Sequence, residues 1–200
     1  MMKRITSEIT FFFPSLISHL IIYDLTIYHL PDPRPPLWGV IREILSAMRL
    51  SRNFELSEFE VSKTARELGI DNRVPADLVP RVKALVDEIL QPMRTRLEIP
   101  IHISSGYRCA KVNRVNHGAK LSQHMKGEAA DIYIKPEESL GWSLWDVATL
   151  IVRFLYFDQL IWEERPNGSR WIHVSYTTRR PNRRQALRTK DGKHYKPLEF

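Results

Sequence analysis

Residues 122–134, "SQHMKGEAADIYI", decide how the rest of the chain is read. A histidine, a glycine and an aspartate stand at 124, 127 and 131, and "AADIYI" (129–134) reads as a strand. An aspartate inside such an apolar run is costly unless a cation or a metal answers it. His124 then falls in the loop before the strand. Gly127 permits a left-handed turn or a close backbone approach between the two polar residues.

A second histidine lies further along. "FDQLIWE" (157–163) and "RWIHVSY" (170–176) read as two strands joined by "RPNGS", whose Pro, Asn and Gly make a hairpin turn. His173 sits in the second of them. Two neutral imidazoles and one carboxylate, His124, His173 and Asp131, suit Zn²⁺ and leave a fourth position for water, the arrangement of a catalytic rather than a closed structural site. A single anionic ligand leaves the centre net cationic, so a bound water with a pKa near ~7 supplies hydroxide at neutral pH. The competing reading of Asp131 is an ion pair.

Before these elements the chain reads as helical. "ELSEFEVSKTARELG" (55–69) carries a Ser57-x-x-Glu60 capping box and ends at Gly69. In "LVPRVKALVDEILQPMRTRL" (78–97), Val82, Leu85, Val86, Ile89, Met93 and Leu97 build one apolar face. Pro80 fits the first turn, and Pro92 is expected to kink the helix or end a first segment. "IPIHIS" (99–104) reads as a strand, "CAKVNRVNHG" (109–118) as a short helix, and "SLWDVATLIVRFLY" (143–156) as a helix boxed by Ser143 and Asp146. Helices first and then mixed strands define an α+β domain with a largely antiparallel sheet.

Composition bounds the partners. The 200 residues are 43% hydrophobic, enough for one domain with an appended segment, and the formal charge of +7 favours an anionic partner: nucleic acid, a membrane surface or an acidic wall polymer. Much of the positive charge falls in residues 179–200, which read as a basic, solvated tail. One cysteine, Cys109, excludes an internal disulfide and a multi-cysteine zinc knuckle. Residues 1–47 hold an apolar stretch broken by Pro14, His19, Asp24 and His29, then a stiff "PDPRPP" linker. They read as a signal or anchor, or as an upstream segment if translation starts at Met48. The domain proper is then 48–178.

"SSGYRCAKVN", "GAKLSQHMKGEAADIYI" and "FDQLIWE…WIHVSY", in that order, together resemble the zinc D-alanyl-D-alanine carboxypeptidase family with its phage and prophage peptidoglycan endopeptidases. The resemblance runs from about Asn53 to Tyr176. It rests on Ser105-Gly106-Tyr107-Arg108, on Ser-x-His-x-x-Gly-x-Ala-x-Asp from Ser122 to Asp131, and on Trp171-Ile172-His173. It implies a hedgehog-like α+β fold, with a small, mostly antiparallel sheet flanked by helices. It also implies zinc held by His124, Asp131 and His173, and Arg108 pointing into the cleft, where a guanidinium grips a carboxylate or steadies an oxyanion.

A metallopeptidase needs a general base. Glu163 is the candidate and Glu164 the alternate, because faces alternate along a strand and only one of them points with the metal. If the hairpin pairs 163 with 173, Glu163 lies directly opposite His173. Some family members carry the acid or base three residues before the last histidine, others have His-x-His; here those positions are Arg170 and Trp171. The reading is thus a zinc-dependent peptidase acting on peptidoglycan stem or cross-bridge peptides, as a monomer with no firm membrane span, in the cell envelope or as a prophage-type protein acting on the wall. The alternatives are a non-catalytic zinc module that recognises wall peptide, and a basic nucleic-acid-binding domain.

Overall fold

A computed structural model describes residues 48–199; the readings made for residues 1–47 lie outside them. Residues 55–69 form two short helices rather than one, α1 (Leu56–Glu60) and α2 (Lys63–Glu67). The Ser57–Glu60 box does not form, because the Glu60 carboxylate accepts from the Val74 N–H at 2.9 Å. Glu58 instead accepts from the Glu55 N–H at 2.7 Å, and Ser62 caps α2. Gly69 follows α2 at a φ of +61°, the left-handed conformation of a helix stop.

The long amphipathic segment is continuous: α3 (Val79–Leu85), a π-helical stretch (Val86–Leu90) and α4 (Gln91–Leu97). Pro92 has no N–H to give the ladder, and the preceding turn widens so that the Gln91 N–H reaches the Val86 carbonyl, five residues back. The helix thereby passes its proline without stopping. Val82, Leu85, Val86, Ile89, Met93 and Leu97 are all buried, as their spacing requires. A short helix α5 (Ala110–Val115) and the longer α6 (Leu144–Phe154) complete the set, and α6 carries the Ser143–Asp146 box.

The sheet has six strands: β1 (His102–Ser105), β2 (Ala129–Tyr133), β3 (Gln159–Glu164), β4 (Arg170–Ser175), β5 (Gln185–Thr189) and β6 (Lys196–Pro197). Their spatial order is β1-β2-β4-β3-β5-β6, and every pairing is antiparallel except β3 with β5. Ala130, Ile132, Leu160, Ile172 and Val174 turn one face of the sheet onto the helical core. Burying each of the Val, Leu and Ile side chains among them contributes about 1.5–3 kcal/mol. The opposite face carries the alternate residues Asp131, Ile161, Glu163, Trp171 and His173. Among the described residues, no helix is long and apolar enough to cross a membrane.

Residues 179–199 are not a solvated tail. They supply β5 and β6, and three of their arginines lie on buried carboxylates. Arg179 makes a forked contact to Glu128 at 2.6 and 2.8 Å, while Arg180 and Arg183 both grip Asp158. Glu128 and Asp158 are 1% and 0% exposed, so each needs a cation at that position. The domain extends through this segment and does not end at 178.

Candidate metal centre

Asp131 and His173 are direct cross-strand partners on β2 and β4, on the face turned away from the helical core. Antiparallel pairing brings them together across 42 residues of sequence. His124 comes from a 3₁₀ turn (His124–Lys126) that ends on Gly127 at φ +67°. A β-carbon on Gly127 would stand 3.1 Å from Val82 Cγ2, so both backbone shape and space favour glycine there. All three polar residues are buried.

His124 Nε2, His173 Nδ1 and Asp131 Oδ1 form a triangle with edges of 3.1, 3.0 and 3.2 Å. The tautomers follow from what the other ring nitrogens touch. His124 Nδ1 lies 2.7 Å from the Gly106 carbonyl, which only accepts, so Nδ1 carries the proton and Nε2 a lone pair. His173 Nε2 lies 3.1 Å from Gln123 Oε1, so it donates there and Nδ1 is the bare nitrogen. Two lone pairs and a carboxylate oxygen thus face one point with no proton between them. Ligand atoms of a tetrahedral ion with ~2.0–2.1 Å bonds are spaced by roughly 3.3 Å, close to this triangle. A nitrogen-rich donor set suits a first-row transition ion better than calcium or magnesium, which favour oxygen ligands.

Arg108 donates from Nη2 to Asp131 Oδ2 and from Nε to Ser105 Oγ at 2.8 Å. Arg108 thus has a structural role, because it holds the oxygen of Asp131 that does not face the histidines. Only Nη1 lies outside these two contacts.

The hairpin register differs from the expected one. His173 faces Ile161, and Glu163 faces Trp171. The loop 165–169 closes through Arg165 N–H to Ser169 O at 2.9 Å, which pairs 164 with 170 and sets every pair above it. A shift of two residues preserves the face, so Glu163 still lies on the side of Asp131 and His173. Burial raises the Glu163 carboxyl above its ordinary value, the Asp131 charge raises it further, and Arg165, His173 and Arg108 oppose the rise. Arg165 Nη2 donates to Glu163 Oε2 at 2.9 Å and its guanidinium lies 4.8 Å over the Trp171 ring. Glu164 points the other way and pairs with Arg170 at 2.9 Å. Trp162 lies on that same reverse side, edge-on to Trp145 at 5.2 Å.

Five contributors escape a reading of the sequence: the Gly106 carbonyl, Arg165, Asp158, Arg180 and Arg183. Backbone groups have no sequence signal. The aspartate in "FDQLIWE" is a legible buried acid that needs a cation, but nothing local names its partner.

Two histidines and a carboxylate converging beside one sheet face, with the half-buried Glu163 on that face, make a metal-dependent hydrolase type of site. The family model for peptidase M15 matches residues 52–175, and the chain belongs to that family of metallopeptidases, which includes the zinc D-alanyl-D-alanine carboxypeptidases. No curated protein matches the chain.

Proposed function

We propose that this protein is a zinc-dependent peptidase that cleaves stem or cross-bridge peptides of peptidoglycan, by a carboxypeptidase or endopeptidase action. The observation that carries the reading is the convergence of two tautomer-fixed imidazoles and Asp131 on one point, with Glu163 on the same face. His124, Asp131 and His173 would hold Zn²⁺. When bound, the ion supplies Lewis-acid activation of water and of the scissile carbonyl.

The chain's own residues do the rest. Glu163, raised above an ordinary carboxyl, takes a proton from the attacking water and delivers it to the leaving amine. Its Oε2 is occupied by Arg165, which leaves Oε1 for the transfer. Arg108 fixes Asp131 and presents Nη1 toward a substrate carboxylate or developing oxyanion. Trp171, beside Glu163, offers a flat apolar wall. The departure at Arg170 and Trp171 from family members with an acid or histidine there favours one rival, a zinc module that binds wall peptide without turnover.

Digestion of purified peptidoglycan, with and without a chelator, separates the two. Cleavage that a chelator abolishes and zinc restores is expected, with Glu163→Gln losing about 10²–10⁴-fold in turnover while keeping its metal. Full metal occupancy with no cleavage by the parent chain would overturn the enzyme reading in favour of the module. A nucleic-acid role draws less support, because Arg179, Arg180 and Arg183 are committed to Glu128 and Asp158.

A further inference from the structure

His173 is held by a chain of contacts that begins outside the family match. Its Nε2 faces Gln123 Oε1 at 3.1 Å. The amide of Gln123 has two ends, and either could face the ring if nothing fixed it. Here the NH₂ end donates to Asp158 Oδ2 at 2.7 Å and to Ser175 Oγ at 2.8 Å. Asp158 is fully buried and accepts Arg180 Nη1 and Nη2 at 2.7 and 2.9 Å, and Arg183 Nε and Nη2 at 3.0 and 2.8 Å. The Arg183 backbone N–H adds a bond of 3.1 Å. A carboxylate so clamped is an acceptor only, so the Gln123 carbonyl must turn to His173.

We infer that Gln123 and Asp158, locked by Arg180 and Arg183, are positioning residues that select the metal-binding tautomer of His173. The inference rests on the zinc reading above. The selection is directional. Were Gln123 to present its NH₂ instead, His173 Nε2 would have to accept, the ring proton would move to Nδ1, and the nitrogen facing His124 and Asp131 would lose its lone pair. The C-terminal segment past residue 175 thereby acts on the metal centre without touching it.

The parallel pair Glu128–Arg179 supplies a control. It is a buried, forked carboxylate clamp built from the same segment, and it bonds Thr177 rather than any residue of the cluster. Losing an outer partner of a metal-bound histidine typically costs 10–100-fold in metal affinity.

The test uses the full chain with Gln123→Met, which keeps the volume and removes the amide, Asp158→Asn, which allows the amide to flip, and Arg179→Met as control. Long-range ¹H–¹⁵N NMR reads the His173 tautomer in metal-free protein, and competition with a chelator reads zinc affinity. The expected result is a His173 Nε2–H tautomer in the parent that is lost or mixed in the first two variants, with zinc affinity lowered about 10–100-fold, and neither change in Arg179→Met. An unchanged tautomer and affinity within about twofold in Gln123→Met would overturn the proposal, even if Asp158→Asn fails to fold. Equal loss in Arg179→Met would also overturn it, by assigning the effect to general packing. A parent that shows the tautomer but binds no zinc contradicts the metal reading instead, so the two failures are distinguishable.

Discussion

Ile161, and not Glu163, stands directly opposite His173 across the β3–β4 hairpin. Glu163 lies one step further along the same face, opposite Trp171, where burial and the Asp131 charge raise its carboxyl and Arg165 partly offsets them. A base must be deprotonated to act, so activity rises as pH climbs through the Glu163 pKa. Removing the Arg165 charge raises that pKa further. In Arg165→Ala the acid limb of the pH profile of kcat/KM is expected to move to higher pH. A limb that stays in place, or moves down, separates Glu163 from the proton transfer. Glu164→Gln, on the reverse face, is expected to leave both limb and turnover within about twofold.

Gly106 links packing to the proposed metal ligand His124. A β-carbon there would meet Phe59 Cα at 2.5 Å, a backbone atom that has no freedom to swing aside. Overpacking of this kind costs about 1–3 kcal/mol, and any shift moves the Gly106 carbonyl off His124 Nδ1. Gly106→Ala is therefore expected to lower stability and zinc affinity together. Gly69→Ala, with open space around it but φ +61°, is expected to cost about 1 kcal/mol and leave zinc affinity alone. Urea denaturation and chelator competition on both variants check the pair.

Truncation after Thr178 tests the reassigned C-terminal segment. It removes β5 and β6 and strips the cations from buried Glu128 and Asp158. Breaking one buried pair by removing a partner costs about 3–5 kcal/mol, against a total domain stability of about 5–15 kcal/mol. Loss of cooperative thermal unfolding by circular dichroism is expected. A melt within a few degrees of the full chain would restore the reading of a dispensable tail.

Asp158 also sets an acid limit. Burial raises its carboxyl, but bonds from Arg183 and Arg180 outweigh burial and hold it well below its ordinary value of 3.8. A depressed folded-state pKa means that the clamp's contribution is complete above about pH 4, where the unfolded chain is also ionised, and fades as pH falls below it. Unfolding free energy measured between neutral pH and about pH 2 should fall below about pH 4 in the parent. In Asp158→Asn it should start lower and fall less steeply, and parallel curves would remove Asp158 from the acid response.

What is legible in the sequence is whatever depends on local period. Alternation places Asp131 and His173 in strands, and the 3.6-residue spacing gives the buried face of 79–97. Register is not legible, because it is set by how the 165–169 loop closes, and several closures suit "RPNGS". The fate of residues 179–184 is hidden for a different reason. Arg179 meets Glu128 across 51 residues and Arg180 meets Asp158 across 22, so a local charge run reads as solvated when its partners are buried elsewhere. The motif around Arg108 points it at substrate; the contact with Asp131 emerges only from the three-dimensional pairing of β1 with β2.

The most direct test is anomalous diffraction at the zinc edge from crystals of the zinc-loaded chain. One peak is expected, bonded to His124 Nε2, His173 Nδ1 and Asp131 Oδ1. A zinc-loaded crystal with no peak there, or with its peak on other residues, would contradict the assignment of these three side chains as the metal centre.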